Sequence, residues 1–472
     1  METIHPKIIQ GGMGVNISNW ILARTVSMLG QQGTLSGVML ERTFVNLLQR
    51  GDPDGNIRRA LAHFPFPNLA EKVWNKFFVE DGISEGVPMK GFPVFVVKPP
   101  DLLVALVICA NFAFVWLSKE GHDNPVSINY LEKVAMPHPY AITGAILAGV
   151  DRITMGAGIP LHVPQLINSI YEWKVATYPV PVVGKDNTKW NYAMSLDLPN
   201  FLGKRPNGLK KPGFIPIVST SKLASVLAQK LKGSIHGFVV EEPTAGGHNA
   251  PPREPVLNEN GEPLPVYGPK DYADFRQMVD LGLPFWVGGS YANPDGLARA
   301  LSLGAQGIQA GSIFALCQNS GMRLDIRREM RKHGFNGTLE IQTDMRISPT
   351  SYPFKKALLS GTISEEAVYN ARTRICDIGG LVYLYEKENG SIGYRCPAEP
   401  VDKYVKKGGD IKDTVGRGCL CNGLFATAGM NTEDEPPVVT IGDDLSFLKK
   451  VMANKNSSYG AKDAINYLLG IV

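Results

Sequence analysis

The stretch GFVVEEPTAGGHNAPPR, residues 237–253, holds one strand of the fold and the loop that leaves it. Gly237-Phe-Val-Val240 is a short apolar run that reads as a buried strand. His248 follows on the loop leaving that strand's carboxyl end, behind Gly246-Gly247 and ahead of Pro251-Pro252. The two glycines allow a close backbone approach, and the prolines stiffen the exit of the loop. Seven further runs of the same kind lie around it: Lys7 to Gln10, Gly33 to Ser36, Val126 to Asn129, Arg152 to Met155, Phe214 to Val218, Pro284 to Val287 and Gly307 to Ala310. Helix-like patterns separate them, over Trp20 to Leu29, Leu102 to Lys119, Pro139 to Ala148, Val163 to Trp173, Ser221 to Lys232 and Pro294 to Leu303. Eight strand–helix units in this order predict an α/β fold of the (β/α)8 TIM-barrel type rather than an open doubly wound sheet.

The pattern places the barrel in residues 1–320, with two insertions. Residues 41–100 form a charged, helix-rich excursion, and residues 174–213 a Pro-, Gly- and Lys-rich one expected to lie over the barrel mouth. Residues 321–472 read as an appended α-rich extension, with helices over Arg323 to Lys332 and Glu365 to Arg374. The charge run Arg327 to Lys332 reads as a solvated helix face.

Composition bounds the function. Lys and Arg exceed Asp and Glu by 48 − 44 = 4 without a basic block, which argues against nucleic-acid binding. The first residues lack the basic start and apolar core of a signal peptide, and Leu102 to Leu117 reads as a buried helix rather than a membrane span. Six cysteines in 472 residues suit a reducing cytoplasm.

Catalytic residues of such a barrel gather at the carboxyl ends of its strands. Six of the eight ends carry glycine, including Gly11-Gly12-Met13-Gly14, Gly246-Gly247-His248, Gly288-Gly289 and Gly311-Ser312. Glycine lets a flat ligand rest on backbone and lets amides point at an anion. A planar-ligand floor at Gly11 to Gly14, facing a phosphate cradle at Gly288-Gly289 and Gly311-Ser312, points to flavin mononucleotide (FMN). Neither a Walker loop nor a strand–GxGxxG–helix arrangement is present.

The set IIQGGMG (8–14), SINYLEKV (127–134), ITMGAGIP (153–160), AGGHNAPPR (245–253), WVGGS (286–290) and GIQAGSIFALC (307–317) resembles the nitronate monooxygenase family, formerly 2-nitropropane dioxygenases. These are FMN-dependent TIM-barrel enzymes, and their superfamily includes FMN-dependent enoyl-acyl carrier protein reductases. The resemblance covers roughly residues 6 to 320. It implies that Gly12 and Met13 line the flavin ring, that Asn129 contacts the ring system, and that Gly289, Gln309, Gly311 and Ser312 hold the ribityl chain and phosphate. It places His248 over the flavin as a base or hydrogen-bond donor. Asn249 to Arg253 depart from the family's short residue–glycine continuation.

Two reactions follow from that resemblance. One is oxidation of alkyl nitronates or nitroalkanes with O2, in which an imidazole removes the acidic carbon proton. The alternative is an NAD(P)H-dependent enoyl-thioester reductase of fatty acid or polyketide synthesis. Lys204, Arg205, Lys210 and Lys211 would then suit an acyl carrier protein or a nicotinamide nucleotide phosphate, and are otherwise a solvated lid. A third reading is a flavin- or metal-binding assembly component without turnover, and a homodimer is compatible with all three. Cys376, Cys396, Cys419 and Cys421 fall within 46 residues and could ligate zinc or an iron–sulfur cluster, although they contain no CxxC pair.

Overall fold

A computed structural model describes residues 5–84, 92–185, 188–430 and 435–471. Residues 85–91 of the first insertion and 186–187 of the second lie outside the described residues. The strands in chain order are β1 Ile8–Gln10, β2 Gly33–Ser36, β3 Val126–Leu131, β4 Arg152–Gly156, β5 Val175–Val183, β6 Lys189–Asp197, β7 Gly213–Val218, β8 Phe238–Glu241, β9 Gly247–His248, β10 Phe285–Gly288, β11 Gly307–Ala310, β12 Glu340–Asp344, β13 Phe354–Leu358, β14 Tyr383–Glu386 and β15 Ile392–Arg395.

Eight of these pair in parallel in the order β1-β11-β10-β8-β7-β4-β3-β2. They are the eight runs expected from the sequence. A parallel bridge between Ile9 and Gln32 joins the two ends of this sheet, with the Gln10 amide donating to the Gln32 carbonyl at 2.9 Å. The sheet is therefore an α/β TIM barrel, and its closure removes the exposed edges that an open sheet would present. Ile9, Ile215, Val239 and Trp286 form one buried cluster along these strands, and Trp286 Nε1 donates to the Pro6 carbonyl at 2.8 Å. Where β11 begins, a Cβ on Gly307 would stand 1.9 Å from the Lys7 carbonyl oxygen, so only glycine lets β1 and β11 approach this closely.

The helices fall where the periodicity puts them, among them Trp20–Met28, Asp101–Lys119, His138–Leu147, Val163–Tyr171, Ser221–Lys230 and Pro294–Ser302. Asn19, Thr220 and Asn293 cap three of them by accepting a backbone N–H on the side chain. Asp101–Lys119 is long and apolar enough to cross a membrane, but it is buried along most of its length within the fold. The helices Leu40–Gln49, Asn56–Leu61 and Pro67–Phe77 of the first insertion pack against it.

The second insertion is built on regular structure: β5 and β6 form a nine-residue-a-side antiparallel hairpin along the helices His138–Leu147 and Val163–Tyr171. At its tip, Val182 and Val183 pair with β14, so this hairpin joins β14 and β15 in a four-stranded sheet. The charge run in helix Leu324–Asn336 is a solvated face only in part, with Arg328 and Glu329 exposed. Arg327 and Arg331 turn inward, and Arg327 Nη1 donates to the carbonyls of Cys317, Gln318 and Ser320 at 3.0 Å each. Arg331 Nη1 reaches the Leu316 carbonyl at 3.1 Å. Free carbonyls beyond the short helix Ser312–Ala315 need donors, and two arginines one helical turn apart supply them.

The described residues beyond 320 contain four strands as well as helices, and they pack onto the barrel. Phe447, Leu448, Ile465 and Leu468 share the main hydrophobic cluster with Leu22, Val26 and Ile313. Each such buried side chain contributes about 1.5–3 kcal/mol of transfer free energy. The strand β13 lies antiparallel to β9, setting Phe354 opposite His248 and Lys355 opposite Gly247.

Candidate functional site

The glycine-bearing strand ends enclose one pocket of about 230 Å³ at the carboxyl end of the barrel. Its wall includes Gly12, Met13, Asn129, Gly247, His248, Gly288, Gly289, Gln309, Gly311 and Ser312, so the structure brings every barrel residue singled out from the sequence to one place.

The floor is built from β1 outward. Gln10 turns its amide inward, where Nε2 donates to Ser18 Oγ at 2.7 Å and Oε1 accepts from the Thr34 amide at 2.9 Å. Ser18 Oγ in turn donates to the Gly11 carbonyl at 2.8 Å and accepts from the Met13 amide at 2.9 Å. These bonds fix the Gly11–Gly14 loop over a buried polar anchor. A Cβ on Gly12 would sit 2.3 Å from Asn129 Cβ, which is why no other residue fits there. Asn129 Nδ2 donates to the Gly12 carbonyl at 3.1 Å and Oδ1 accepts from Thr154 Oγ1 at 3.0 Å, setting which face of its amide meets the pocket.

The opposite wall comes from β10 and β11, where Gln309 stands in register with Gly288 and with Ile9. Gly289 has a φ of +103° and leaves no room for a side chain, since a Cβ would meet Thr244 Oγ1 at 2.8 Å. Among the described residues the pocket wall has no lysine or arginine. A phosphate there would therefore rest on the amides of the Gly288–Ser290 and Gly311–Ser312 loops and on hydroxyls. The extension reaches this wall as well: the Gly442 amide donates to Ser312 Oγ at 3.0 Å, and the Gly247 amide to Thr440 Oγ1 at 2.7 Å.

His248 is set by partners that sequence reasoning missed. Its Nε2 and Ser348 Oγ lie 2.8 Å apart, and its ring meets Phe354 edge-on at 4.9 Å between centroids. Burial, helped by the nearby Lys133 ammonium, pushes the imidazole down to about 3, so it is neutral at physiological pH. Glu241, the last residue of β8, also lines the pocket, where burial pushes its carboxyl up to about 7. Its position at the end of a barrel strand was the available signal for it. Ser348 had none, because only the β13–β9 pairing brings it to the histidine.

The four late cysteines meet in one apolar cluster with Val15, Val38, Met39, Ile378 and Phe425. Cys376 is paired with Cys396, and this contact together with burial pushes its thiol up; Cys421 is held down by Cys419 and by the Gly380 and Leu381 amides. Cys421 also lines the pocket. Among the described residues no group of three or more His, Cys, Asp or Glu is arranged to hold a metal ion. The zinc or iron–sulfur expectation thus finds no support in the geometry, which shows close thiol pairs in an apolar setting. Lys204, Lys210 and Lys211 are exposed, whereas Arg205 is held by the Tyr171 carbonyl at 3.0 Å.

No protein-family model and no curated protein matches this sequence. Among solved structures, the chain is similar to FabK from Thermotoga maritima, at 15% identity and a TM-score of 0.48, over 99% of this chain and 93% of that one. It is also similar to nitroalkane oxidase from Streptomyces ansochromogenes, at 11% identity and a TM-score of 0.45, over 98% and 95% of the two chains. The enoyl reductase domain of MlnA from Bacillus amyloliquefaciens matches at 10% identity and a TM-score of 0.36, over 76% and 64%.

Proposed function

We propose that the chain is an FMN-dependent oxidoreductase that oxidises alkyl nitronates and nitroalkanes with O2. The observation that carries this reading is the convergence of ten residues, from several strand ends, on one pocket that among the described residues holds a single imidazole. Gly12, Met13 and Asn129 would carry the flavin ring, Gly247 and Gly288 its flank, and Gly289, Gln309, Gly311 and Ser312 the ribityl chain and phosphate. Flavin bound there supplies the redox step, accepting electrons from the substrate. The protein's own part is placement and proton handling. The neutral imidazole of His248 can take a proton from the carbon next to a nitro group through one ring nitrogen while Ser348 holds the other. Glu241, also in the wall, can offer a proton at neutral pH. Six cysteines, none of them in a disulfide, fit a cytoplasmic setting.

A second reading, an NAD(P)H-dependent enoyl-thioester reductase, is favoured by one observation. A cavity of about 550 Å³ adjoins the pocket and shares Met39, Val134 and Leu381 with it, giving room for a second ligand and for the arm of an acyl carrier protein. The two readings part on what bleaches the flavin absorption of the purified protein under argon. Bleaching by a propyl nitronate supports the first. Bleaching by NADPH alone, with no response to the nitronate, replaces it with the second. Flavin that answers to neither, and a His248→Ala variant indistinguishable from wild type, would leave a binding protein without turnover.

A further inference from the structure

The pocket histidine cannot store the proton it is asked to take. An imidazole held near 3 releases it at once at neutral pH. The structure connects it to a group that can store one. His248 Nε2 lies 2.8 Å from Ser348 Oγ, Ser348 Oγ lies 2.7 Å from Thr350 Oγ1, and Lys133 Nζ donates to Thr350 Oγ1 at 3.5 Å. Lys133 follows β3 in the barrel, whereas both hydroxyls belong to the extension. The run of hydrogen bonds leads from the pocket to the adjoining cavity of about 550 Å³, where Lys133 and Thr350 stand in the wall.

We propose that Ser348 and Thr350 carry protons between His248 in the pocket and Lys133 at the second cavity, with Lys133 as the group that stores them. This rests on the reading of the pocket given above. In the base direction the substrate carbon gives its proton to His248 Nδ1, and the Nε2 proton passes to Ser348 Oγ. The Ser348 hydroxyl proton passes to Thr350 Oγ1, and the Thr350 hydroxyl proton to the neutral Lys133 amine. Each intermediate group gains one proton and loses one, so the imidazole stays uncharged, the substrate becomes an anion and Lys133 an ammonium. The ammonium then releases its proton through the second cavity. The reverse sequence delivers a proton to the pocket and restores the first tautomer of the ring.

The surroundings of Lys133 suit storage. Burial brings its amine down to about 7, opposed by the neighbouring Glu132 carboxylate, so both protonation states are populated at neutral pH. The other charged groups in that cavity wall are Glu41, Arg42, Lys189 and Asp413, and the Tyr352 ring lies 2.9 Å from Nζ. On the pocket side, His248 shares the wall with Glu241, Asp444 and Cys421. The direction of the pH effect follows: base action needs the neutral amine, so proton abstraction speeds up as pH rises through about 7.

Two measurements on the full chain test this. In a ¹³C NMR titration of protein labelled at lysine Cε, with Lys133→Met giving the assignment, Lys133 is expected to titrate near neutrality. In the second, the FMN-loaded enzyme is mixed under argon with a neutral nitroalkane. Ser348→Ala, Thr350→Val and Lys133→Met should each slow bleaching about 100-fold and flatten its rise with pH. A preformed nitronate, which has already lost the proton, should bleach Thr350→Val and Lys133→Met at the wild-type rate. Lys133 titrating in the ordinary lysine range would overturn the proposal. So would variants as fast as wild type with the nitroalkane, or Thr350→Val and Lys133→Met equally slow with the nitronate. If neither substrate bleaches even wild type, the functional reading fails, and the lysine titration still decides whether Lys133 can store the proton.

Discussion

The barrel and the segment that covers its mouth are built on different kinds of pairing. Each barrel strand runs parallel to neighbours that follow from the strand–helix alternation, and the closure is secured by glycines such as Gly307 where backbones nearly touch. In the cover, β13 pairs with β9 and β14 with β5, each partner lying far upstream in the chain. The barrel thus supplies the pocket's floor and cradle. The cover supplies the partner of its one imidazole, Ser348, and the amide on Ser312. A βα repeat makes a place for a ligand, and a non-local addition tunes what happens in it.

Three substitutions sharpen this contrast. The largest effect is expected in the barrel, for Gly307→Ala. The new Cβ would meet the Lys7 backbone oxygen at 1.9 Å, which no rotamer relieves, and unfolding in urea should show a loss of about 3 kcal/mol or more. Between barrel and pocket stands Glu241. Burial raises its carboxyl from the ordinary 4.5 to about 7, so its contribution is complete below about 4.5 and is lost as pH rises through about 7. Glu241→Gln should therefore stabilise the protein by on the order of 2 kcal/mol at about pH 8 and leave stability near pH 4 unchanged, as read from urea midpoints. The smallest effect is expected where cover meets barrel. Tyr459 is buried and its hydroxyl donates to the Ile313 carbonyl at 2.7 Å. Tyr459→Phe leaves that carbonyl unpaired and should cost about 1 kcal/mol. A Tyr459→Phe loss as large as that of Gly307→Ala would mean that the cover, rather than barrel closure, dominates stability.

The same contrast explains what the sequence makes legible. Strand–helix alternation and glycine at the strand ends are local signals, and they locate the eight barrel strands and the glycine-bearing ends that line the pocket, whereas Asn129 and Gln309 are expected only from the family resemblance. The hairpin of β5 and β6 escapes because Pro179 and Pro181 argue against a paired strand. Both prolines have the same parity, so the nitrogens lacking protons can share one edge of β5, and β14 meets that edge only at Val182 and Val183. Arg327 and Arg331 look like surface charges until the carbonyls they serve are in place. Ser348 and Thr350 carry no motif, and only where β13 lies brings Ser348 to His248. The cysteines do converge, as their spacing allows, but a shared location is a weaker condition than the geometry a metal demands.

The central claim is that the glycine-lined mouth of the barrel holds FMN, and the most direct measurement is titration of the flavin-free protein with FMN, followed by quenching of flavin fluorescence. Wild type should saturate at one FMN per chain. Gly12→Val, folded by circular dichroism but with its side chain forced against Asn129 on the pocket floor, should take up none. Failure of wild type to bind FMN, or equal binding by Gly12→Val, would contradict the account.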